Sequence, residues 1–241
     1  MKRAIELFEF EERSSGSPLV TTMWRTHSVP EKSFISVATT NWEIVVTHAA
    51  DGTWITVRGP ETEASVAGIP VDAEFFGIPF RMGTFMPAVD LRRLIGGGIE
   101  LPMTSDTSFW LDGSVWELPR PDNADVFVDR LVQAGLLVHD PVVAAALQAD
   151  GTGDGDGEAT VRVDLESFST RSIERRVARA TGLTRGKIRQ VRRAERAVDL
   201  LAGGTSAPDV ARELGYADQP HLTRSLRRFA GQTPSQITAT P

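Results

Sequence analysis

Amide, imidazole and guanidinium side chains are concentrated in one stretch of the 241-residue chain, GYADQPHLTRSLRRFAGQTP at residues 215–234. If this stretch is helical, Leu222, Leu226 and Phe229 form an apolar stripe and the polar side chains point the other way. Gln can hydrogen-bond adenine and Arg can hydrogen-bond guanine in a DNA major groove, whereas Arg further along a helix reaches phosphates. The candidate contact residues on this face are Gln219, Pro220, His221, Thr223, Arg224, Arg227 and Arg228.

The residues before this stretch can position it. Ser206 and Asp209 have capping-box spacing at the start of a predicted helix that ends before Gly215. Gly215 allows the left-handed backbone of a tight turn, and Asp218 is a good N-cap for the next helix. Helix, short turn and a second helix with a basic outer face is the helix-turn-helix layout.

The segment LGYADQPHLTRSLRRFAGQTP resembles the second helix-turn-helix of the AraC/XylS family of bacterial transcription regulators. Two positions depart from the family pattern: Leu226 replaces a Phe, and Pro220 replaces a Ser, which removes a hydroxyl near the bases and should alter sequence preference. The matching residues are Gly215, Tyr216, Asp218, Gln219, His221, Leu222, Arg224, Gly231, Thr233 and Pro234.

The resemblance implies a first unit upstream, joined by a long helix, and a periodic helix is predicted from the Thr184 cap to about Ala202. STRSIERRVARATGLT (169–184) is similar to the first recognition helix. The stretch before it, ATVRVDLESF, lacks the small-residue pattern of a supporting helix and also alternates like a strand, so whether this unit reads bases is open. The candidate contacts by position are Ser169, Thr170, Arg171, Glu174, Arg175, Arg176 and Arg179.

Charge divides the chain. Residues 1–150 carry 11 Lys/Arg against 21 Asp/Glu, a net −10, whereas residues from 167 onward carry 14 against 6, a net +8. A basic C-terminal segment after an acidic N-terminal segment is expected when a nucleic-acid-binding module is joined to another domain. Solvated helix surfaces give the same count of charges. One hypothesis is that the acidic domain docks on the basic helices and weakens DNA binding until an effector releases it.

The first 150 residues are predicted to be strands followed by two helices. WEIVVTHAADGTWITVRG (42–59) predicts a hairpin, and the Gly- and Pro-broken run at 64–87 is typical of a barrel or sandwich. DNADVFVDRLVQAGLL and DPVVAAAL predict the two helices. The fold class is therefore an α+β N-terminal domain plus an all-α C-terminal tandem helix-turn-helix domain. WEIVVTH, TVRGPET, GIPFRMGTFMP and SFWLDGSVWELP also resemble the regulatory domain of a subgroup of the same family.

A Gly- and Asp-rich segment separates the two parts. A calcium-loop alignment that uses Asp154 and Asp156 places Thr152 and Val163 where carboxylates are required, so the segment is interpreted as a linker. The predicted boundaries are 1–148 for a regulatory domain, 149–159 for the linker and 160–241 for the DNA-binding domain.

No catalytic chemistry is predicted for the N-terminal part. His27, His48 and His139 lack metal-binding spacing, no nucleotide-binding or nucleophile motif is present, and the chain has no cysteine. We therefore expect no metal, no cofactor and no enzymatic activity. An apolar effector pocket is the alternative to ordinary core packing for the tryptophans, with Arg81 or Glu43 as polar anchor. The candidate pocket residues are Trp24, Trp42, Trp54, Arg81, Trp110 and Trp116.

Together these observations predict a cytoplasmic DNA-binding transcription regulator that responds to an effector through its N-terminal domain. The predicted partner is double-stranded DNA, and no apolar run approaches the roughly 18 residues of a membrane span. A small-molecule effector, a contact with RNA polymerase and a homodimer stay open. The alternative is a ligand-independent DNA-binding protein whose N-terminal domain mediates self-association or polymerase contact.

Overall fold

The structure, a computed structural model, describes residues 8–28, 33–68, 70–154 and 163–239. The strands are β1 (Phe8–Ser14), β2 (Thr22–Ser28), β3 (Ser33–Ser36), β4 (Glu43–Ala49), β5 (Gly52–Arg58), β6 (Ser65–Gly68), β7 (Glu74–Pro79), β8 (Thr84–Phe85), β9 (Gly98–Leu101), β10 (Met103–Ser105), β11 (Ser108–Leu111), β12 (Ser114–Glu117) and β13 (Val138–His139). The helices are α1 (Ala124–Gln133), α2 (Pro141–Ala149), α3 (Thr170–Thr181), α4 (Arg185–Ala202), α5 (Ala207–Glu213), α6 (Gln219–Ala230) and α7 (Pro234–Thr238).

An antiparallel sheet in the order β1-β2-β7-β4-β5-β9 organises the N-terminal region. Its centre is the predicted hairpin, in which β4 and β5 pair from Glu43↔Arg58 to Ala49↔Gly52. Smaller sheets are formed by β3 with β6, β8 with β13, and β10-β11-β12. Ile44, Val46 and Ile55 lie on the face of the large sheet that points into the main core.

The two predicted N-terminal helices are present and close the core. Asp140 caps α2 by accepting the Val142 N–H at 3.0 Å, and Pro141 occupies the first turn, where a missing N–H costs nothing. Gly135, at φ +72°, follows the end of α1. Phe127, Val143 and Leu147 then join the same apolar cluster as the sheet residues.

The C-terminal region is helical, which confirms the predicted combination of a strand-rich first part with a helical second part. Its five helices begin at side-chain caps that accept a backbone N–H from the first turn. Within residues 163–169, before α3, the chain forms only a short 3-10 turn at Leu165–Ser167. The capping residues are Ser169, Thr184, Ser206, Asp218 and Thr233.

The apolar cores do not divide where the predicted domains divide. The main core of the N-terminal region continues into the inner face of α3 and the start of α4, through Ile173, Val177, Ala180, Leu183 and Ile188. A separate core holds the end of α4 together with α5, α6 and α7. The boundary between these two cores therefore runs through α4, and a third small cluster of Ala38, Val191, Ala194 and Phe229 crosses it.

The first part of the Gly- and Asp-rich segment is fixed to α4. Arg185 donates to the Asp150 carboxylate at 2.7 Å, Arg192 is paired with Asp154, and Arg196 donates to the Gly151 carbonyl at 2.6 Å. Residues 155–162 lie outside the described residues. Within those that are described, no cluster of His, Asp and Glu could hold a metal ion, and no helix is long and apolar enough to cross a membrane.

Candidate nucleic-acid interface

The second recognition helix, α6, presents its first two turns to solvent. Asp218 accepts the His221 N–H at 2.6 Å, and Gly215, at φ +69°, makes the turn after α5. Leu222 and Leu226 are fully buried against the second core. Gln219, Pro220, Arg224 and Arg227 are consequently exposed on the opposite face, as predicted.

His221 is held at the edge of this face. Its Nδ1 lies 3.4 Å from the Ala217 N–H, and its ring packs edge-to-face on Tyr216 with the centroids 5.3 Å apart. Where Nδ1 accepts this hydrogen bond, Nε2 is the donor nitrogen of the ring. The Thr223 hydroxyl donates to the Gln219 carbonyl at 3.0 Å within α6. Arg193 was not among the contact residues predicted from the sequence. Its guanidinium lies 4.4 Å from the Tyr216 ring centroid, beside this face.

A surface groove of about 530 Å³ lies between α6 and the starts of α5 and α7. Its lining combines hydroxyl, amide and guanidinium groups with an about equal share of apolar surface, and the polar groups are of the kinds that contact phosphate. The lining residues are Ser206, Ala207, Gln219, Thr223, Arg227, Thr233, Pro234, Ser235 and Thr238.

The first recognition helix, α3, is exposed at its N-terminal end and contacts other parts of the chain further along. Ser169, Thr170, Arg171, Glu174 and Arg175 are exposed, and the Ser169 hydroxyl caps the helix. Two of the predicted DNA contacts also touch groups of the chain, although Arg179 is exposed and Arg176 is partly exposed. Arg176 donates to Asp140 at 2.7 Å and stacks over Phe168, and the Arg179 guanidinium lies 5.2 Å from the Phe85 ring centroid.

The last turn of α6 also touches the N-terminal region. Arg228 donates to the Glu63 carboxylate at 2.7 Å. The Ala64 N–H donates to the Arg228 carbonyl at 2.7 Å, and the Ala38 N–H donates to the Phe229 carbonyl at 2.8 Å. We call Glu61–Ala64 the acidic segment. In this conformation Arg228, a predicted phosphate contact, is paired with that segment.

Within the part of the chain that the structure describes, the six predicted pocket residues do not all lie on the same face of the N-terminal region. Trp42 is buried, stacks on Phe80 at 4.2 Å and donates to the Thr84 carbonyl at 2.6 Å. Trp116 is buried beside Phe127, whereas Trp110 is 45% exposed on the small three-stranded sheet. Arg81 donates to the Val20 carbonyl at 3.1 Å. These four residues support the fold or lie on its surface.

Trp24 and Trp54 share one face of the large sheet, opposite the main core. Cross-strand pairs place Trp54 opposite Thr47, Thr47 opposite Phe75, and Phe75 opposite Thr26, so these side chains point to the same side. Thr47 and Thr26 are both buried. Among the described residues, the Thr26 hydroxyl oxygen is buried without a hydrogen-bond partner.

An ion pair network borders this face. Trp24 donates to Glu43 at 3.0 Å, and Arg58 lies 3.7 Å from Glu43 and 2.7 Å from Glu61 of the acidic segment. Burial raises the pKa of Glu43 above its ordinary value even though Arg58 lowers it. Gly77 leaves room for the Trp24 ring, because a Cβ there would lie 2.0 Å from the ring. Sequence reasoning found Glu43 but not Arg58.

Comparisons with known proteins agree with the C-terminal geometry. A family model described as "Helix-turn-helix domain" matches residues 164–240. The HTH-type transcriptional regulator RipA of Corynebacterium glutamicum is 30% identical over 122 residues, which cover 51% of this chain and 37% of that protein. RipA of Corynebacterium diphtheriae is 33% identical over 75 residues, 31% of this chain and 22% of that protein. The chain therefore matches well under half the length of these relatives.

Among solved structures, ToxT from Vibrio cholerae O395 bound to (E)-4-(8-methylnaphthalen-1-yl)but-3-enoic acid aligns with a TM-score of 0.40 and 9% identity, over 95% of this chain and 98% of that chain. The sequence relatives are transcriptional regulators and not enzymes, in agreement with the sequence analysis. Residues 164–240, which include the motif at 214–234, therefore match a helix-turn-helix domain family.

Proposed function

We propose that the protein is a transcription regulator that reads two adjacent major grooves of DNA with α3 and α6. The observation that carries this proposal is the exposure of Arg171 and Arg175 on one helix and of Gln219 and Arg224 on the other, each helix being anchored by a buried inner face. Two helix-turn-helix units on one face of a duplex contact sites roughly 10 base pairs apart.

Within α6 the contacts divide by position. Gln219, His221 and Arg224 lie toward the start of the helix, where base edges are within reach, and the Nε2–H of His221 favours an acceptor such as guanine O6 or N7. Arg227 borders the polar groove and is assigned to phosphate. RNA polymerase contact, a homodimer and a cytoplasmic location stay predictions.

Selection of bound duplexes from a random DNA pool tests this function. The full-length chain is used at two salt concentrations, because phosphate contacts weaken as salt rises. The expected product is a bipartite motif with half-sites about one helical turn apart. Failure of the wild-type chain to enrich any duplex at low salt would contradict the proposal.

We also propose that the N-terminal region senses a small amphipathic molecule on the face that carries Trp24 and Trp54. The support is the buried unpartnered hydroxyl of Thr26, together with the connection from Glu43 through Arg58 to the acidic segment. A ligand that displaces Arg58 would loosen the acidic segment and free Arg228 for DNA. The alternative, a ligand-independent N-terminal domain, needs none of these features.

A thermal-shift screen discriminates the two alternatives, since a ligand that binds only the folded state raises the melting temperature. A hit should lose its shift in Trp54→Ala. Trp110→Ala is the matched control, because Trp110 is exposed on a different sheet. A hit that shifts both variants equally does not bind this face.

A further inference from the structure

The two recognition helices are supported differently. In a helix-turn-helix the recognition helix packs on the helix before it, and α6 packs on α5 in this way. Within residues 163–169, which lead into α3, the chain makes only the 3-10 turn Leu165–Ser167. Among the described helices, α2 of the N-terminal region makes the most extensive contact with α3, and the following helix α4 makes a smaller one.

The buried face of α3 is complementary to that region. Ile173, Val177 and Ala180 belong to the same apolar cluster as Val143 and Leu147 of α2. Because these residues are nine-tenths or more buried, α3 has no free inner face with which to bind a separate supporting helix.

The C-terminal end of α3 is fixed to a second element of the N-terminal region. Gly182 ends the helix at φ +74°, and a Cβ there would lie 2.9 Å from the carbonyl carbon and oxygen of Leu91. Leu91 begins the 3-10 turn Leu91–Leu94 and is 1% exposed. The close approach holds the end of α3 against that turn.

Asp140 joins the start of α2 to the middle of α3. One carboxylate oxygen accepts the Val142 N–H that begins α2, and the other accepts from Arg176 at 2.7 Å. The Asp140 side chain is only 14% exposed. A single residue of the N-terminal region therefore caps one helix and holds the other.

We propose that α2 is the supporting helix of the first DNA-binding unit and that Asp140 is the residue that positions α3 for base reading. This inference rests on the proposed function. It makes the N-terminal region a structural part of DNA recognition by α3, whereas α6 carries its own support.

The test is Asp140→Asn in the full-length chain. Asn caps helices about as well as Asp, so α2 keeps its cap while the charge that pairs with Arg176 is lost. Affinity is measured for a duplex with both selected half-sites and for one with the α3 half-site scrambled. We expect Asp140→Asn to bind the first duplex about fivefold more weakly, within the range of an ion pair of this exposure, and the scrambled duplex as the wild type does.

Three further variants separate a positioning role of Asp140 from a general effect on stability. Arg176→Gln should reproduce the loss, and the double variant should lose no more than either single one, since both remove the same contact. Asp125→Asn removes an equal charge from an ion pair on α1, with Arg13, and should bind both duplexes normally. The melting temperature, followed by tryptophan fluorescence, checks that all variants fold.

The results distinguish this inference from the proposed function. Unchanged affinity of Asp140→Asn for the bipartite duplex, or an equal loss on both duplexes, overturns the positioning role. A wild-type chain that selects only one short motif also overturns it, because α3 would not read bases, while DNA binding itself would stand. A wild-type chain that selects no duplex contradicts the proposed function.

Discussion

The helices α3 and α6 are built from the same local ingredients but depend on different parts of the molecule. Each begins at a polar cap, and each ends at a left-handed glycine, Gly182 at φ +74° or Gly231 at φ +68°. Leu222 and Leu226 of α6 pack in the C-terminal core and Phe229 packs with Ala38, whereas the stripe of α3 packs in the N-terminal core. Two helices with the same local sequence features can therefore depend on different folded regions for their function.

The strength of the N-terminal contact also differs between them. For α3 the contact is a buried apolar face, which supports the helix permanently. For α6 it is an exposed Arg228–Glu63 pair, two backbone hydrogen bonds to the last turn and a small buried cluster in which Phe229 packs with Ala38. Because this apolar contact is much smaller than that of α3, we expect any regulation by an effector to act through α6 rather than through α3.

The largest expected effect comes from truncating one side chain in each core. Leu183→Ala and Leu226→Ala should each lower the free energy of unfolding by about 2–5 kcal/mol. All five tryptophans lie at or before residue 116, so their fluorescence reports the N-terminal region. Thermal melting should show Leu183→Ala lowering the tryptophan transition and Leu226→Ala lowering only the helical transition seen by circular dichroism.

One result would disprove that α3 shares the N-terminal core. If Leu183→Ala left the tryptophan transition unchanged, α3 would be stabilised independently of the N-terminal region.

Substitution of Arg224 should have the next largest effect. Arg224→Ala should cost about 1–3 kcal/mol of binding to the selected duplex and relax preference at one base position. Arg227→Ala should weaken all duplexes alike and reduce the salt slope by about 1, because it removes a phosphate contact. Titrations at several salt concentrations separate the two, and a changed preferred sequence in Arg227→Ala would reverse these assignments.

Release of the acidic segment should have a smaller effect of opposite sign. Glu63→Gln should tighten DNA binding about twofold to fivefold, because Arg228 becomes available to phosphate and exposed ion pairs contribute about 0.2–1 kcal/mol. Glu117→Gln is the control, since Glu117 is 54% exposed against 58% for Glu63 and also pairs with an Arg. Equal tightening in both variants would mean that only net charge matters.

The smallest expected effect is a pH dependence near α2. Partial burial lowers the pKa of His139, against an opposing influence of Asp140. The unfolded chain therefore binds this proton more readily, and stability falls as pH drops through the ordinary histidine value of about 6.5. His139→Gln should flatten the decrease in melting temperature over this range. An equally steep decrease in the variant would assign the effect to other groups.

The second helix-turn-helix was predictable because its determinants are local. Ser206, Gly215, Asp218 and the stripe at Leu222 and Leu226 each act within a few residues along the chain, and the structure places all of them as predicted. The β4–β5 hairpin and the two N-terminal helices were predictable for the same reason.

The contacts between the two regions were not predictable. Arg176, Arg179 and Arg228 have the periodicity of solvent-facing side chains, and no sequence pattern shows that Asp140, Phe85 and Glu63 lie opposite them. Composition likewise indicated a linker at Asp150 and Asp154, although both carboxylates bind arginines of α4.

The tryptophans posed a related difficulty. Trp42 and Trp24 both lie next to strand-forming residues in the sequence. Trp42 is nevertheless in the main core, whereas Trp24 is on the opposite face of the large sheet. Only the pairing register of the strands decides which face a side chain takes.

The most direct test that α3 and α6 read separate major grooves is missing-base interference on the selected duplex, with the wild type, Arg175→Ala and Arg224→Ala compared in parallel. For the wild type we expect two clusters of required bases, one helical turn apart. Arg175→Ala should lose requirements in one cluster only, and Arg224→Ala in the other. A single cluster, or loss in the same cluster for both variants, would show that α3 and α6 do not read separate major grooves.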